Sequence, residues 1–188
     1  MKGPCKLEQK LPAALRRKAV APALAAVMAL AGVFGIGGAK LAGYAQRTAA
    51  SFDSGMYSIS ADLDARLNAA ANLVTVAGKV DGVDEGVIAA VDGAIAAVQA
   101  AGSPAAKAGA DRTLSEAVNA LYDAAAGAAN ANQADLMAGE LAEFNSRGNT
   151  IHNNDYNSNA RRFNQDLGGQ PARLIGALWG IEPAEYYE

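Results

Sequence analysis

The sequence predicts an all-α protein: an N-terminal transmembrane helix continuing into an antiparallel, up-and-down four-helix bundle. Three observations carry this. Alanine, the best helix former, supplies about a quarter of the 188 residues, and nothing shows the Val/Thr/Tyr alternation of strands. Ala19 to Ala39 passes 21 residues without a charge. Beyond that run, apolar residues recur at spacings of three and four, the signature of helix stripes.

The uncharged run comes first. At about 1.5 Å per residue it is roughly 30 Å long as a helix, the thickness of a bilayer core. A cleaved secretory signal with a small-residue exit at Gly43-Tyr44-Ala45 is the competing reading, although signal cores usually run only about 7–15 residues. Lys2, Lys6, Lys10, Arg16, Arg17 and Lys18 precede the run, whereas only Lys40 and Arg47 follow it closely. The positive-inside rule then keeps the N-terminus cytoplasmic and sends the rest, after Lys40, across the membrane as a single-pass protein. Cys5 precedes the run, so it is not placed as a lipoprotein cysteine, and a lone thiol completes neither a disulfide nor a zinc site.

Within the span, Ala31, Gly35, Ala39 and Gly43 recur every four positions and form one shallow helix face. Two backbones can approach closely along such a face, although an Ala/Gly-rich helix also yields the pattern by chance.

The bundle is read as four helices. Phe52, Met56, Ile59, Leu63, Leu67, Ala70, Val74 and Ala77 form the first stripe; with no proline from Leu41 to Val80, one helix is expected to run on from the membrane to about Gly78. Val87, Ile88, Val91, Ile95 and Val98 mark the second helix. Ser103-Pro104 then offers an N-cap and a first-turn proline for the third, which carries Leu114, Val118, Leu121 and Ala125. The fourth is expected from Gln133 to Leu167, through Met137, Leu141, Phe144, Gly148 and Ile151 and then His152, Tyr156, Ala160 and Phe163. Three long helices, one kinked at Ser103-Pro104, are the alternative. The resulting organisation is a basic segment at 1–18, the span at 19–39, the bundle at 40–167, and a C-terminal loop with a short amphipathic helix at 168–188. Leu174, Ile175, Leu178 and Trp179 belong to that last helix. They either cap the end of the bundle or, with Tyr186-Tyr187, touch the membrane interface.

Tyr156-Asn157 is echoed seven residues later by Phe163-Asn164, nearly two helix turns, so each pair of equivalents shares a face. The aromatics supply bulk to an alanine core. The asparagines are expected to fix register, with Asn72 of the first long helix as a candidate partner.

At this point the sequence resembles the LemA family. The residues that carry the resemblance are Asn72-Leu73-Val74 within "DLDARLNAAANLVTVAGKV", the stretch "IHNNDYNSNARRFN" and the ending "ARLIGALWGIEPAEYY". Ala65-Arg66 stands where the family has paired arginines, and Ala71 where it has proline. The resemblance implies a membrane-tethered helical bundle without established enzymatic activity; some relatives are associated with organising or shaping bacterial membranes.

The chemistry-bearing residues add little. A net charge of -3 without a basic face argues against nucleic acid. His152 and Asp155 sit three apart, but the single histidine has no Glu three residues before it, as a di-metal bundle requires. Asp81, Asp84 and Glu85 read as helix-terminus charges. Ser115, Ser146 and Ser158 lack an elbow turn and a base, and "GIGG" (Gly35 to Gly38) lacks the Lys-Ser/Thr of a phosphate loop. No catalytic, cofactor or metal residue is assigned. The expected partners are the lipid bilayer, other copies of the chain in a coiled-coil-like scaffold or membrane-remodelling assembly, and, for a monomeric binding module, another envelope protein.

Overall fold

A computed structural model describes residues 20–54 and 58–188, and every regular element among them is a helix. In chain order these are α1 (Val20–Asp53), α2 (Ile59–Ala77), α3 (Glu85–Ala100), α4 (Pro104–Ala126), α5 (Ala131–His152), α6 (Tyr156–Gly168) and α7 (Ala172–Trp179). The all-α expectation holds. Cys5, Met56, Ala19 and the basic residues from Lys2 to Lys18 lie outside the described residues.

Two expected helices are each divided. The helix from Leu41 to Val80 ends at Asp53 and restarts at Ile59. No proline is needed for this: Ser58 is extended (φ -75, ψ 150) and its hydroxyl accepts from the Ala61 amide at 3.2 Å, a capped start. The helix from Gln133 to Leu167 breaks at Asn153, Asn154 and Asp155. Here the Asn153 side chain bonds back to the Asn149 carbonyl at 2.9 Å, and the Asn154 carboxamide accepts from the Tyr156 amide at 2.8 Å. Short amide side chains compete for backbone partners and so end one helix and begin the next. His152 and Asp155 consequently do not share a helix face.

The other boundaries follow their sequence signals. Asp84 caps α3 through the Gly86 amide, Ser103 caps α4 ahead of Pro104, and Asn130 with Gln133 forms a reciprocal capping box on α5. Ser103-Pro104 marks a reversal rather than a kink, because α3 and α4 pack on each other. Gly82, at φ +86, supplies a left-handed turn before α3 that a larger residue would adopt only with strain.

The chain forms two units. One comprises the described part of Met1–Tyr44 with Leu167–Glu182; the other comprises Ala45–Asp166 with Pro183–Glu188. In the second, α2 packs mainly on α5, and also on α3 and α4. Its core joins the stripes anticipated from sequence, with Ile59, Leu63, Leu73, Val91, Leu114, Val118, Leu121, Met137 and Phe144 all buried. In the first unit, α1 leaves Leu24, Val27, Met28, Leu30, Val33 and Ile36 exposed and α7 packs on it.

Candidate functional site

The most elaborate polar arrangement is a clamp on α6. Asn157 donates through Nδ2 to the Tyr187 carbonyl at 2.8 Å and accepts through Oδ1 from the Tyr187 amide at 2.8 Å. Asn164 does the same to Ala184, at 2.9 and 2.7 Å, and its Nδ2 also reaches the Tyr186 hydroxyl at 3.0 Å. Between them the Tyr156 hydroxyl donates to the Glu185 carbonyl at 2.8 Å. Seven residues of helix rise about 10.5 Å, and three residues of extended chain cover about 10 Å. The seven-residue repeat is therefore a ruler for main chain three residues apart. The asparagines hold a tail that has no helix or strand of its own, not a neighbouring helix as expected. Asn72, their anticipated partner, is exposed and donates to Glu140 on α5 at 3.2 Å.

The two aromatics of the repeat are buried as expected, Tyr156 at 2% and Phe163 at 1% exposure. Tyr156 meets the edge of Phe52 at a centroid distance of 5.2 Å, and Phe52 also lies 5.9 Å from the Tyr187 ring. Burial first, then the charges of Glu185 and Asp53, raise the Tyr156 hydroxyl above its ordinary pKa and keep it a donor.

Tyr187 leads into a second cluster. Its hydroxyl donates to Asp111 Oδ2 at 2.9 Å, and Arg66 Nε lies 3.0 Å from Asp111 Oδ1 as an ion pair without directed hydrogen-bond geometry. Arg66 Nη2 donates to Ser115 Oγ at 2.6 Å, and the guanidinium stacks 3.9 Å over the Phe144 ring. Gly148 makes room here: a Cβ at that position would meet Arg66 Nη1, and the guanidinium would have to shift. The cluster thus joins α2, α4, α5 and the tail around one buried arginine. Tyr187 is pushed up strongly in pKa by burial, then by the charge and hydrogen bond of Asp111, against the opposing effect of Arg66. A cleft of about 490 Å³ opens beside it, lined by Asp111, Arg112, His152, Asn157, Arg161 and Tyr187 among others.

Sequence reasoning passed over Asp111, although a signal was present. Asp111 precedes Leu114, Val118 and Leu121 at the same helical spacing, and Arg66 falls between Leu63 and Ala70. Opposite charges on two inward stripes announce a buried pair. Gly148 was read only as a small stripe position. Tyr186 and Tyr187, for which the membrane interface was the alternative to capping the bundle, are taken up by the clamp and this cluster.

In the other unit, Ala31, Gly35 and Ala39 are exposed and Gly43 is half-buried; no atom stands within 4 Å of the place a Gly35 Cβ would take. Close approach occurs at different glycines. The Trp179 indole N–H donates to the Phe34 carbonyl at 3.0 Å, its ring fills the space a side chain at Gly38 would need, and Ile175 Cδ1 lies 3.1 Å from a Cβ built on Gly37. Ile175 is buried, whereas Leu174 and Leu178 are exposed.

Among the described residues, no group of three or more His, Cys, Asp or Glu side chains is placed to hold a metal ion. Asp62, buried on α2, pairs with Arg147 at 3.2 Å through one oxygen. A second, open cleft of about 700 Å³ is lined by Ser51, Ser146, Asn149, Thr150, Asn153, Asn154 and Asp155.

Comparison with known proteins agrees with the sequence pattern: the family model described as LemA family matches residues 55–188. That range holds the clamp, the buried pair and α7. No curated protein matches the chain.

Proposed function

The chain belongs to the LemA family, and from that premise we propose that it is a membrane-anchored structural protein that self-associates into a scaffold or membrane-shaping assembly. The observation that carries the anchoring is the surface of α1. Leu24, Val27, Met28, Leu30, Val33 and Ile36 are 48–64% exposed along one long apolar helix. Water-soluble proteins rarely leave so much contiguous apolar surface uncovered, whereas a bilayer covers it at no cost.

Self-association is supported by the small-residue face of Ala31, Gly35 and Ala39, which is exposed on α1. The bundle's role in this reading is mechanical. Its polar groups are spent on internal register: Asn157 and Asn164 on the tail, and Arg66 on Asp111 and Ser115. No reaction is assigned to it, and no cofactor.

The proposed location is a bacterial inner membrane, with the N-terminus cytoplasmic and the bundle on the far side. Cys5, the single cysteine, reports this directly. A membrane-impermeant maleimide should leave it unlabelled in intact spheroplasts and label it after lysis; labelling before lysis reverses the orientation.

Cross-linking and mass photometry in mild detergent test the assembly. Oligomers that weaken in Gly35→Leu are the expected result, and a strict monomer removes the scaffold. The polar cleft at Ser51, Ser146, Asn149 and Thr150 would then favour the second reading, an anchored module that recruits another envelope protein.

A further inference from the structure

We infer that α7 is a second membrane-contacting element, lying in the bilayer interface at the Lys40 end of the span with Leu174, Leu178 and Trp179 turned to lipid. The inference rests on the anchoring of α1 proposed above and adds a place for the C-terminal helix. It starts from composition. Within Ala172–Trp179 the only charge is Arg173, so the helix has no polar face to offer water. One side is accounted for: Ile175 and Gly176 are buried, with Ile175 against Gly37. The rest is not, since Leu174, Leu178 and Trp179 are 55%, 72% and 46% exposed.

What covers them follows from where α7 is attached. Its neighbours on α1 run from Phe34 through Gly37 and Gly38 to Leu41, and the first charge after the apolar run is Lys40. At a rise of about 1.5 Å per residue, they extend from roughly 9 Å inside Lys40 to about 1.5 Å beyond it. Interfacial helices bury their apolar face about 5–10 Å into the headgroup–acyl boundary, a depth within this range. The α1 residues at that level, Val33 and Ile36, are themselves exposed. The leucines of α7 therefore continue a surface that lipid already covers. Tryptophan favours this depth, and the long stem of Arg173 allows its charge to reach the headgroups. The Trp179–Phe34 hydrogen bond satisfies the indole N–H where water is scarce.

Trp179 is the chain's single tryptophan, so the full-length protein carries its own reporter. In vesicles of phosphatidylcholine and phosphatidylglycerol, lipids brominated near the headgroup end of the acyl chain should quench most of its emission. Aqueous iodide should quench little. A control places tryptophan at Leu30 in a Trp179→Phe background; Leu30 lies about 15 Å from Lys40, near mid-bilayer, and deep bromines should quench it. Iodide quenching of Trp179 without bromolipid quenching, while the Leu30→Trp reporter responds to deep bromines, overturns the inference and leaves the anchor intact. A blue-shifted Trp179 that bromolipid does not quench also overturns it, because a protein then covers α7. If neither tryptophan responds to brominated lipid, the anchoring reading itself fails.

Discussion

Asn157 and Tyr187 close a ring of two hydrogen bonds, side-chain carboxamide to main-chain amide and carbonyl, each 2.8 Å long. Asn164 repeats the ring at Ala184. Leucine at either asparagine keeps the approximate volume but leaves a part-buried amide and carbonyl unpaired. We expect Asn157→Leu and Asn164→Leu each to cost about 1–3 kcal/mol in urea unfolding. The Ala184 and Tyr187 amides should exchange hydrogen faster in the double variant. Unchanged exchange would mean that the clamp does not hold the tail.

Arg66 and Asp111 should behave as a coupled pair. Removing one partner strands the other's charge in the core, so Arg66→Met should cost about 3–5 kcal/mol. Asp111→Asn in that background should recover part of the loss, because the stranded carboxylate is gone. A double-mutant cycle on unfolding free energies measures this, and simple additivity would refute the coupling.

Gly148→Ala adds one methyl group to α5 where Arg66 Nη1 already lies. Alanine is the better helix former, so propensity alone predicts stabilisation by roughly 1 kcal/mol. Overpacking against a buried guanidinium should win, with a net loss of about 1–3 kcal/mol. A control at Gly139, also on α5 and with open space around it, should gain rather than lose on the same change. Thermal melts of the pair decide the sign.

Alkaline stability should depend on Tyr187. Its folded pKa is raised, by burial foremost and then by Asp111. A phenol held neutral in the folded state contributes stability that is intact below the unfolded value of about 10 and is lost as pH climbs above it. Unfolding free energy should therefore fall above about pH 10 more steeply in the parent than in Tyr187→Phe. Equal slopes would assign the alkaline loss to other groups.

Gly38→Leu should detach α7 from α1, because the Trp179 indole occupies the space the new side chain needs. The Trp179 emission maximum should shift relative to the parent in vesicles, while far-ultraviolet dichroism stays nearly constant. An unmoved maximum would mean that α7 is held by other contacts.

Much of the fold was legible because stripes speak for themselves. Leu63, Leu67, Ala70, Leu114, Val118 and Leu121 recur at helical spacing and are buried, and Ser103-Pro104 starts a helix by stereochemistry alone. The breaks at Ser58 and Asn153 were harder. Neither contains proline, and a cap differs from a mid-helix serine or asparagine only in what its side chain finds nearby. The partner of Asn157 and Asn164 was not legible at all, since an asparagine that binds main chain selects no complementary side chain. Arg66 and Asp111 stood in between: each borders an apolar stripe, but the two charges must be paired before either carries meaning.

The clamp also bears on synthesis. The segment that Asn157 and Asn164 grip leaves the ribosome after α1 to α7. A nascent chain halted before Ala184 would leave the Tyr156 hydroxyl and the Asn157 and Asn164 carboxamides without the main chain they bind, and Asp111 with Arg66 alone. Ala184 to Tyr187 act as a latch that engages only once they have been synthesised.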